Sequence, residues 1–129
     1  MSAKTRNIIN WALAAIVAFI FIGSAISKLT ADAAALAGAA KFGLSATTYA
    51  VLGIIELIAV ALFLYPRTGI LGTLLLVAYM GGAISTHVEF AQALPAPIAI
   101  SAFVWVVAAI RFPELTQRLL HKKKINSIL

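Results

Sequence analysis

Long apolar runs separated by short polar segments make up most of the chain. Four runs lie at residues 8–26, 48–65, 69–85 and 95–110. A helix needs about 20 apolar residues to cross the hydrocarbon of a bilayer, with a range of about 17–25. No run alternates apolar and polar residues with the period of two that a membrane β-barrel requires. The pattern therefore predicts one all-α transmembrane domain over residues 1–129, with four spans of which the last is the shortest.

The first run could be either a retained span or a cleaved signal peptide. Lys4 and Arg6 precede it and small residues follow it, as in a secretory signal. A signal core holds about 7–15 apolar residues, however, and this run is longer. We therefore expect the first run to remain as a transmembrane helix.

The connections predict how the helices are arranged. In the segment YPRTG, residues 65–69, Pro66 is expected to end one helix and Thr68 to cap the next. Such a tight turn makes the second and third spans an antiparallel hairpin. With four spans that cross in alternating directions, the expected fold is an antiparallel four-helix transmembrane bundle.

Two further segments predict helices outside the spans. The first connection is rich in alanine, and a short surface helix is expected there, capped by Thr30 or Asp32 and ended by Gly43. The C-terminal segment 111–129 is basic, and its leucines at 115, 119 and 120 fall on one side of a helix. This segment is predicted to be an interfacial tail.

Basic residues are distributed unequally between the two ends of the predicted spans. Such residues are enriched in cytoplasmic loops. If the N-terminus is inside, only Lys28 and Lys41 lie outside, and the inner face carries the other eight: Lys4, Arg6, Arg67, Arg111, Arg118, Lys122, Lys123 and Lys124. We therefore expect both termini to be cytoplasmic, in a bacterial inner membrane.

Composition supports a lipid environment. The chain is 63% hydrophobic and 11% charged, with a mean hydropathy of +1.04. Soluble domains are typically about 45–50% apolar and about 25% charged. The net charge of +6 is consistent with contact between basic loops and anionic lipid headgroups. No nucleic-acid partner is expected, because no basic soluble domain accompanies the HKKK segment.

The residue inventory excludes several kinds of redox site. The chain has no cysteine, which rules out thiol relays and iron–sulfur clusters held by this chain. His87 and His121 are predicted at opposite membrane faces and cannot share a haem. No phosphate-binding or dinucleotide-binding glycine motif is present. No metal site is predicted, and any cofactor is expected to be lipophilic and non-covalent, or to belong to a partner.

Glu56 is the residue that most needs an explanation, because it lies within the second apolar run. It is about eight residues, or roughly 12 Å, from the outer end of that helix. Helical side chains tilt toward the helix N-terminus, so Glu56 leans outward whereas Lys28 and His87 lean inward. The three side chains are therefore expected to converge in the outer half of the bundle, as an intramembrane ligand-binding site.

Small and buried positions are expected to support this site. Gly53 lies one turn before Glu56 and permits close helix packing. Thr73 and Met80 belong to a stripe at spacings of four and three that also includes Gly69, Leu76, Ala83 and His87. The stripe predicts which face of the third span is directed inward.

Structural roles are the alternative for each of these residues. Glu56 would then join helices through Lys28, Thr73 or Tyr79. Lys28 alone would extend toward the membrane interface, and His87 would be solvated beside Glu89. Tyr49 is expected to be an interface anchor or a packing residue. Intramembrane ionisable groups often mark functional sites, so both interpretations stay open at this point.

The chain resembles the DoxX-like family of small four-helix membrane proteins. The matching segments are SKL at 27–29, GIIEL at 53–57, LYPRTG at 64–69, MGGAISTH at 80–87 and RFP at 111–113. One departure is Ala25, where the family often has glycine. The resemblance implies a four-helix bundle with Lys28, Glu56 and His87 as its polar positions. It also implies roles that range from quinone-linked enzyme subunits to assembly factors, because a fold does not determine a function.

Three hypotheses for function follow. The first is an accessory subunit that binds a lipophilic ligand such as a quinone at Glu56, His87 and Lys28, with electrons supplied by a redox partner. In that case Glu56 would supply a proton, and His87 or Lys28 a hydrogen bond. The second is a non-enzymatic assembly factor that grips another membrane protein. The third is a small transporter, which four helices could form only as a homo-oligomer.

Overall fold

The computed structural model describes residues 1–120, and every regular element in that range is helical. The all-α prediction is therefore confirmed for this part of the chain. The six α-helices are α1 (Ala3–Thr30), α2 (Ala33–Lys41), α3 (Ala46–Leu64), α4 (Gly69–Glu89), α5 (Pro95–Arg111) and α6 (Pro113–Leu120). The predicted basic tail continues to residue 129, so its second half lies outside the described residues.

Three of the helices are long and apolar enough to cross a bilayer. These are α1, α3 and α4, the last together with a short 3-10 turn at Pro66–Thr68. A fourth span results if α5 and α6 are counted together, although the two helices meet at an angle of 103°. Large apolar side chains are exposed along these helices, such as Phe19 at 82%. Exposed apolar surface on this scale requires lipid, so the chain is an integral membrane protein.

The four long helices α1, α3, α4 and α5 pack in a closed ring of contacts. α1 contacts α3, α3 contacts α4, α4 contacts α5, and α5 contacts α1. Apolar side chains fill the space between the four helices, including Val17, Phe63, Leu76 and Val107. This packing excludes lipid from one continuous apolar core.

The first connection folds as predicted, into the short helix α2. Asp32 occupies its N-cap, and the Asp32 carboxylate accepts a hydrogen bond from the Ala35 N–H over 2.8 Å. This bond and a second from the Ser27 hydroxyl hold the pKa of Asp32 below its ordinary value. Gly43 follows α2 with a positive φ of 64°, a conformation that glycine adopts without steric cost.

The tight turn between α3 and α4 forms with Thr68 at the N-cap position, as predicted, but the Thr68 side chain does not cap α4. Thr68 occupies the N-cap position of α4 without a side-chain capping bond. Its hydroxyl instead donates to the Leu62 carbonyl oxygen over 2.8 Å. The reason is the intervening 3-10 turn, which directs the hydroxyl back toward the free carbonyls at the end of α3.

The last two helices meet at a sharp bend. Pro113 begins α6 directly after Phe112, and a proline cannot continue the hydrogen bonding of the preceding helix. The leucines of α6 separate into two groups. Leu115 is buried in the core, whereas Leu119 and Leu120 are exposed. Of the three leucines predicted on one side of this helix, only Leu115 therefore contributes to the core.

Candidate functional site

A buried ion pair joins α1 to α3. Lys28 lies in the last turn of α1 and Glu56 at the middle of α3, and the Lys28 Nζ is 2.9 Å from the Glu56 Oε1. Glu56 is only 2% exposed and Lys28 only 9%. An isolated charge at this depth would be costly, so each group offsets the burial of the other.

Ser24 completes a closed set of hydrogen bonds with this pair. It lies one turn before Lys28 on α1, where side chains four residues apart are neighbours. The Lys28 ammonium donates to the Ser24 Oγ, and the Ser24 hydroxyl donates to the Glu56 Oε1 over 3.2 Å. Both donors to the carboxylate therefore converge on one of its two oxygens.

The other carboxylate oxygen, Glu56 Oε2, is buried and has no hydrogen-bond partner among residues 1–120. The Tyr79 side chain lies near the carboxylate and within the influence of its charge, but its hydroxyl does not complete a hydrogen bond with Oε2. Buried polar atoms in proteins are nearly always hydrogen-bonded. An orphan oxygen on a charged group therefore identifies a position that a partner is needed to fill.

Gly53 permits the close approach of α1 and α3 at this level, as predicted. A Cβ at this position would lie 3.0 Å from the Ala25 carbonyl oxygen and 3.1 Å from the Lys28 Cβ. Both distances are tighter than ordinary contacts. The absence of a side chain at Gly53 therefore allows the Lys28 side chain to reach Glu56.

A cavity of about 540 Å³ lies against the ion pair. Its wall is mostly apolar, with a few polar groups contributed by α1, α3 and α4. Such a combination is typical of sites that bind apolar small molecules in a fixed orientation, and the volume lies in their usual range of about 300–1,000 Å³. The polar side chains on the wall are Ser24, Lys28, Tyr49, Glu56, Tyr79, Thr86 and His87.

His87 lies on the wall of the same cavity, near the end of α4. Its Nδ1 is 2.6 Å from the Ala83 carbonyl oxygen, one turn earlier in the helix. Because a carbonyl oxygen only accepts, Nδ1 must carry the hydrogen, and Nε2 remains for other interactions. The ring also packs against Phe42, with the centroids 4.7 Å apart. Phe42 directly follows α2, so this connection forms one end of the cavity.

Tyr49 covers the ion pair on the side of α2. The Lys28 Nζ lies 5.1 Å from the centroid of the Tyr49 ring, which places the ammonium over the aromatic face. The Tyr49 hydroxyl lies against Gly38, where a Cβ would be 2.7 Å away. The expectation that Tyr49 serves only as an anchor or packing residue is therefore incomplete, since it also shields a charge.

Of the two α4 residues predicted to support the site, Met80 lines the cavity and Thr73 does not. Thr73 is fully buried, and its hydroxyl donates to the Gly69 carbonyl oxygen over 2.8 Å. It thus bonds within its own helix and not to Glu56. Within residues 1–120, no three metal-ligating side chains come together.

Three residues next to the carboxylate were not predicted as site residues: Ser24, Tyr49 and Tyr79. Ser24 had a signal in its spacing of four from Lys28, which places both on one face of α1. Tyr79 is adjacent to Met80 of the inward stripe on α4, and it was expected only as a structural partner of Glu56.

The long apolar helices define a small integral membrane protein. Its polar centre is a buried ion pair that lies beside an apolar cavity between the helices. The sequence model of the DoxX-like family matches residues 12–110, and this chain belongs to that family. The match includes every side chain of the ion pair and of the cavity wall. Neither a curated protein nor a solved structure matches the chain.

Proposed function

We propose that α1, α3, α4 and α5 form an antiparallel four-helix bundle in a bacterial inner membrane, with both termini cytoplasmic. Each of these helices contacts two of the others, so that the contacts form a closed ring, and this supports the bundle. The asymmetry of the basic residues supports the orientation. The chain then presents the ion pair and the cavity in the outer half of the membrane.

Within this bundle, the cavity binds a lipophilic ligand such as a quinone, and the protein acts as an accessory subunit to a redox partner. The observation that carries this proposal is the buried Glu56, whose Oε2 lacks a partner beside an apolar cavity. A ring of quinone size with an apolar tail suits the volume and the wall. A bound quinone would supply electron and proton transfer.

The residues of this chain would hold and orient the ligand. Leu52, Ile55 and Leu75 would pack against its apolar parts, because they line the cavity and lie on facing helices. Polar groups at Glu56 and His87 would fix the orientation of its oxygen atoms. Phe42 and Tyr49 would limit access of water to the ion pair from the side of α2.

Filling the cavity is the direct test of this proposal. Gly82 lines the cavity, and a Cβ there meets no atom within 4 Å, so Gly82→Leu places a side chain into the space without a backbone clash. Gly81 also has open space at its Cβ but is not on the cavity wall, which makes Gly81→Leu the matched control.

The measurement is calorimetric titration of purified protein in detergent with a decyl-substituted benzoquinone and the corresponding hydroquinone. We expect Gly82→Leu to weaken binding of whichever form binds by at least about tenfold, since a leucine occupies ligand volume. Gly81→Leu is expected to bind as the parent does. If the two variants bind equally well, the cavity is not the binding site.

A second candidate function is a non-enzymatic assembly factor. The observation in its favour is the Ser24–Lys28–Glu56 hydrogen-bond set, which joins α1 to α3 and would be a sufficient structural reason for the buried charges. Under this proposal the exposed apolar faces grip another membrane protein or a second copy of the chain. Absence of binding by both decyl compounds, together with recovery of a stoichiometric membrane partner, would favour it.

A further inference from the structure

The hydrogen-bonding capacity of the Glu56 carboxylate is divided unequally between its two oxygens. Oε1 accepts from the Lys28 ammonium over 2.9 Å and from the Ser24 hydroxyl over 3.2 Å. Oε2 accepts from no group in the described part of the chain. What the carboxylate still requires is therefore a hydrogen-bond donor.

The hydrogens of Lys28 are already directed toward protein groups. Its ammonium donates to Ser24 and to Glu56, and the face of the Tyr49 ring lies next to it. Two of the three ammonium hydrogens are used in these hydrogen bonds, and the Tyr49 ring covers the ammonium on another side. Lys28 thus holds the carboxylate in place through Oε1 and does not supply the donor that Oε2 lacks.

His87 also offers an acceptor. Because Nδ1 donates to the Ala83 carbonyl oxygen, the neutral form of the ring has its single hydrogen on Nδ1. Its Nε2 then carries a lone pair. The neutral imidazole can therefore accept a hydrogen bond from a molecule in the cavity but cannot donate one.

The Tyr79 hydroxyl adds no clear donor for a ligand. The hydroxyl lies close enough to Glu56 to interact with it but outside hydrogen-bond geometry at Oε2, and beside a carboxylate its hydrogen turns toward the negative oxygen. Its lone pairs then point away from Glu56. Three residues that line the cavity, Glu56, His87 and Tyr79, thus carry acceptor atoms without a protein donor.

We propose that the cavity selects a lipophilic ligand that donates hydrogen bonds, a phenol or the hydroquinone form of a quinone, because Glu56, whose Oε2 lacks a donor, and His87, whose Nε2 carries a lone pair, both line this one apolar cavity. This inference rests on the proposed function, since it specifies the chemistry of a ligand in the same cavity. It reverses the earlier expectation that His87 or Lys28 donates to a quinone carbonyl. A ligand hydroxyl that donates to Oε2 would supply the hydrogen bond that this oxygen does not receive from residues 1–120.

Tyr79 is the competing explanation. Oε2 is covered by protein in this conformation, so a ligand can reach it only if neighbouring side chains move. The same movement would let the Tyr79 hydroxyl donate to Oε2. In that case no ligand donor would be needed. Tyr79→Phe separates the alternatives, because it removes the hydroxyl and retains the ring.

The test uses redox-inert probes that differ in one hydrogen. Purified protein in detergent is titrated with 4-decylphenol, with 4-decylanisole, which has the same ring and tail but no O–H, and with a decyl-substituted benzoquinone. We expect the phenol to bind at least about tenfold more tightly than the anisole, the order of magnitude of one hydrogen bond to a charged group. Tyr79→Phe is expected to preserve this preference.

Glu56→Gln tests the inference most directly, because it changes the hydrogen-bonding group at the position of Oε2. Lys28 and Ser24 both donate to the inner position, so the glutamine carbonyl oxygen is expected there and the amide NH₂ at the position of Oε2. The outward group thus changes from acceptor to donor. We expect the phenol preference to be lost and binding of the benzoquinone to strengthen relative to the phenol. Glu114→Gln, the same change at an exposed position on α6, is the control and should leave all three affinities unchanged.

The outcomes distinguish the two proposals. Equal binding of phenol and anisole, or tighter binding of the benzoquinone than of the phenol by the parent protein, would overturn the donor inference while leaving a lipophilic site in place. Loss of the phenol preference in Tyr79→Phe would also overturn it, because the tyrosine and not Glu56 would then recognise the ligand. If none of the three probes binds, both the inference and the proposed function fail.

Discussion

The Arg111 guanidinium donates a hydrogen bond to the Phe63 carbonyl oxygen over 3.0 Å, and so joins the end of α5 to the end of α3. A second contact reaches the Leu64 carbonyl oxygen at 3.5 Å. The guanidinium also lies about 5 Å from the aromatic rings of Trp11, Phe63 and Phe112. One cation therefore satisfies carbonyls that the end of a helix leaves free.

Arg111→Ala is expected to lower the free energy of unfolding by about 1–3 kcal/mol, because it leaves helix-end carbonyls of α3 without their donor. Thermal unfolding in detergent, followed by circular dichroism, measures the effect. Arg118→Ala removes an exposed arginine from α6 and should change the melting temperature little. Equal effects of the two substitutions would show that the contacts of Arg111 do not contribute to stability.

Gly72 allows α3 and α4 to approach closely after the tight turn. A Cβ at this position would overlap the backbone of Phe63, which cannot move aside as the end of a flexible side chain could. Gly72→Ala is therefore expected to destabilise the protein by about 1–3 kcal/mol, as overpacking does. The same assay applies.

Gly23→Ala is the matched control, since a Cβ on that part of α1 meets nothing within 4 Å. There the substitution should be neutral or stabilise by up to about 1 kcal/mol, because alanine favours helix more than glycine does. A neutral result for Gly72→Ala would mean that α3 and α4 can separate without cost.

Breaking the ion pair from one side is expected to cost more than removing both charges. Glu56→Ala leaves the Lys28 ammonium buried without its carboxylate, a change that typically costs about 3–5 kcal/mol. Replacing both residues by methionine avoids an unpaired buried charge and should recover part of that loss. Unfolding of the parent, the single variant and the double variant tests this order; a double variant as unstable as the single one would contradict it.

The proposed orientation can be tested with introduced cysteines, because the chain has none of its own. Ala3 and Gln117 lie at the predicted cytoplasmic end and Ala93 in the connection between α4 and α5, and all three are exposed. In intact cells, a membrane-impermeant maleimide should label Ala93→Cys only. Ala3→Cys and Gln117→Cys should react after permeabilisation. The reverse pattern would place the termini outside.

Much of the helical framework could be predicted because its causes are local. The apolar runs marked the long helices, and Asp32 and Gly43 marked the ends of α2 through capping and a positive φ. The stripe on α4 was also predictable, since helical periodicity alone determines which side chains share a face. The hydrogen bond of Thr68 was not predictable. The 3-10 turn between α3 and α4 directs its hydroxyl to the Leu62 carbonyl oxygen and away from the first turn of α4.

The amino-acid sequence by itself determined that the chain needs lipid around it, that Glu56 lies deep within an apolar helix, and that Lys28 and His87 come from neighbouring helix ends. Only the tertiary structure decided which carboxylate oxygen Lys28 and Ser24 share, that Oε2 stays free, and that Tyr49 lies over the ammonium. The physical reason is that a helix's own period sets the direction of its side chains, whereas contacts between helices depend on their relative depth and rotation. Those two quantities are determined by packing at positions such as Gly53 and Gly72, which single-helix patterns do not specify.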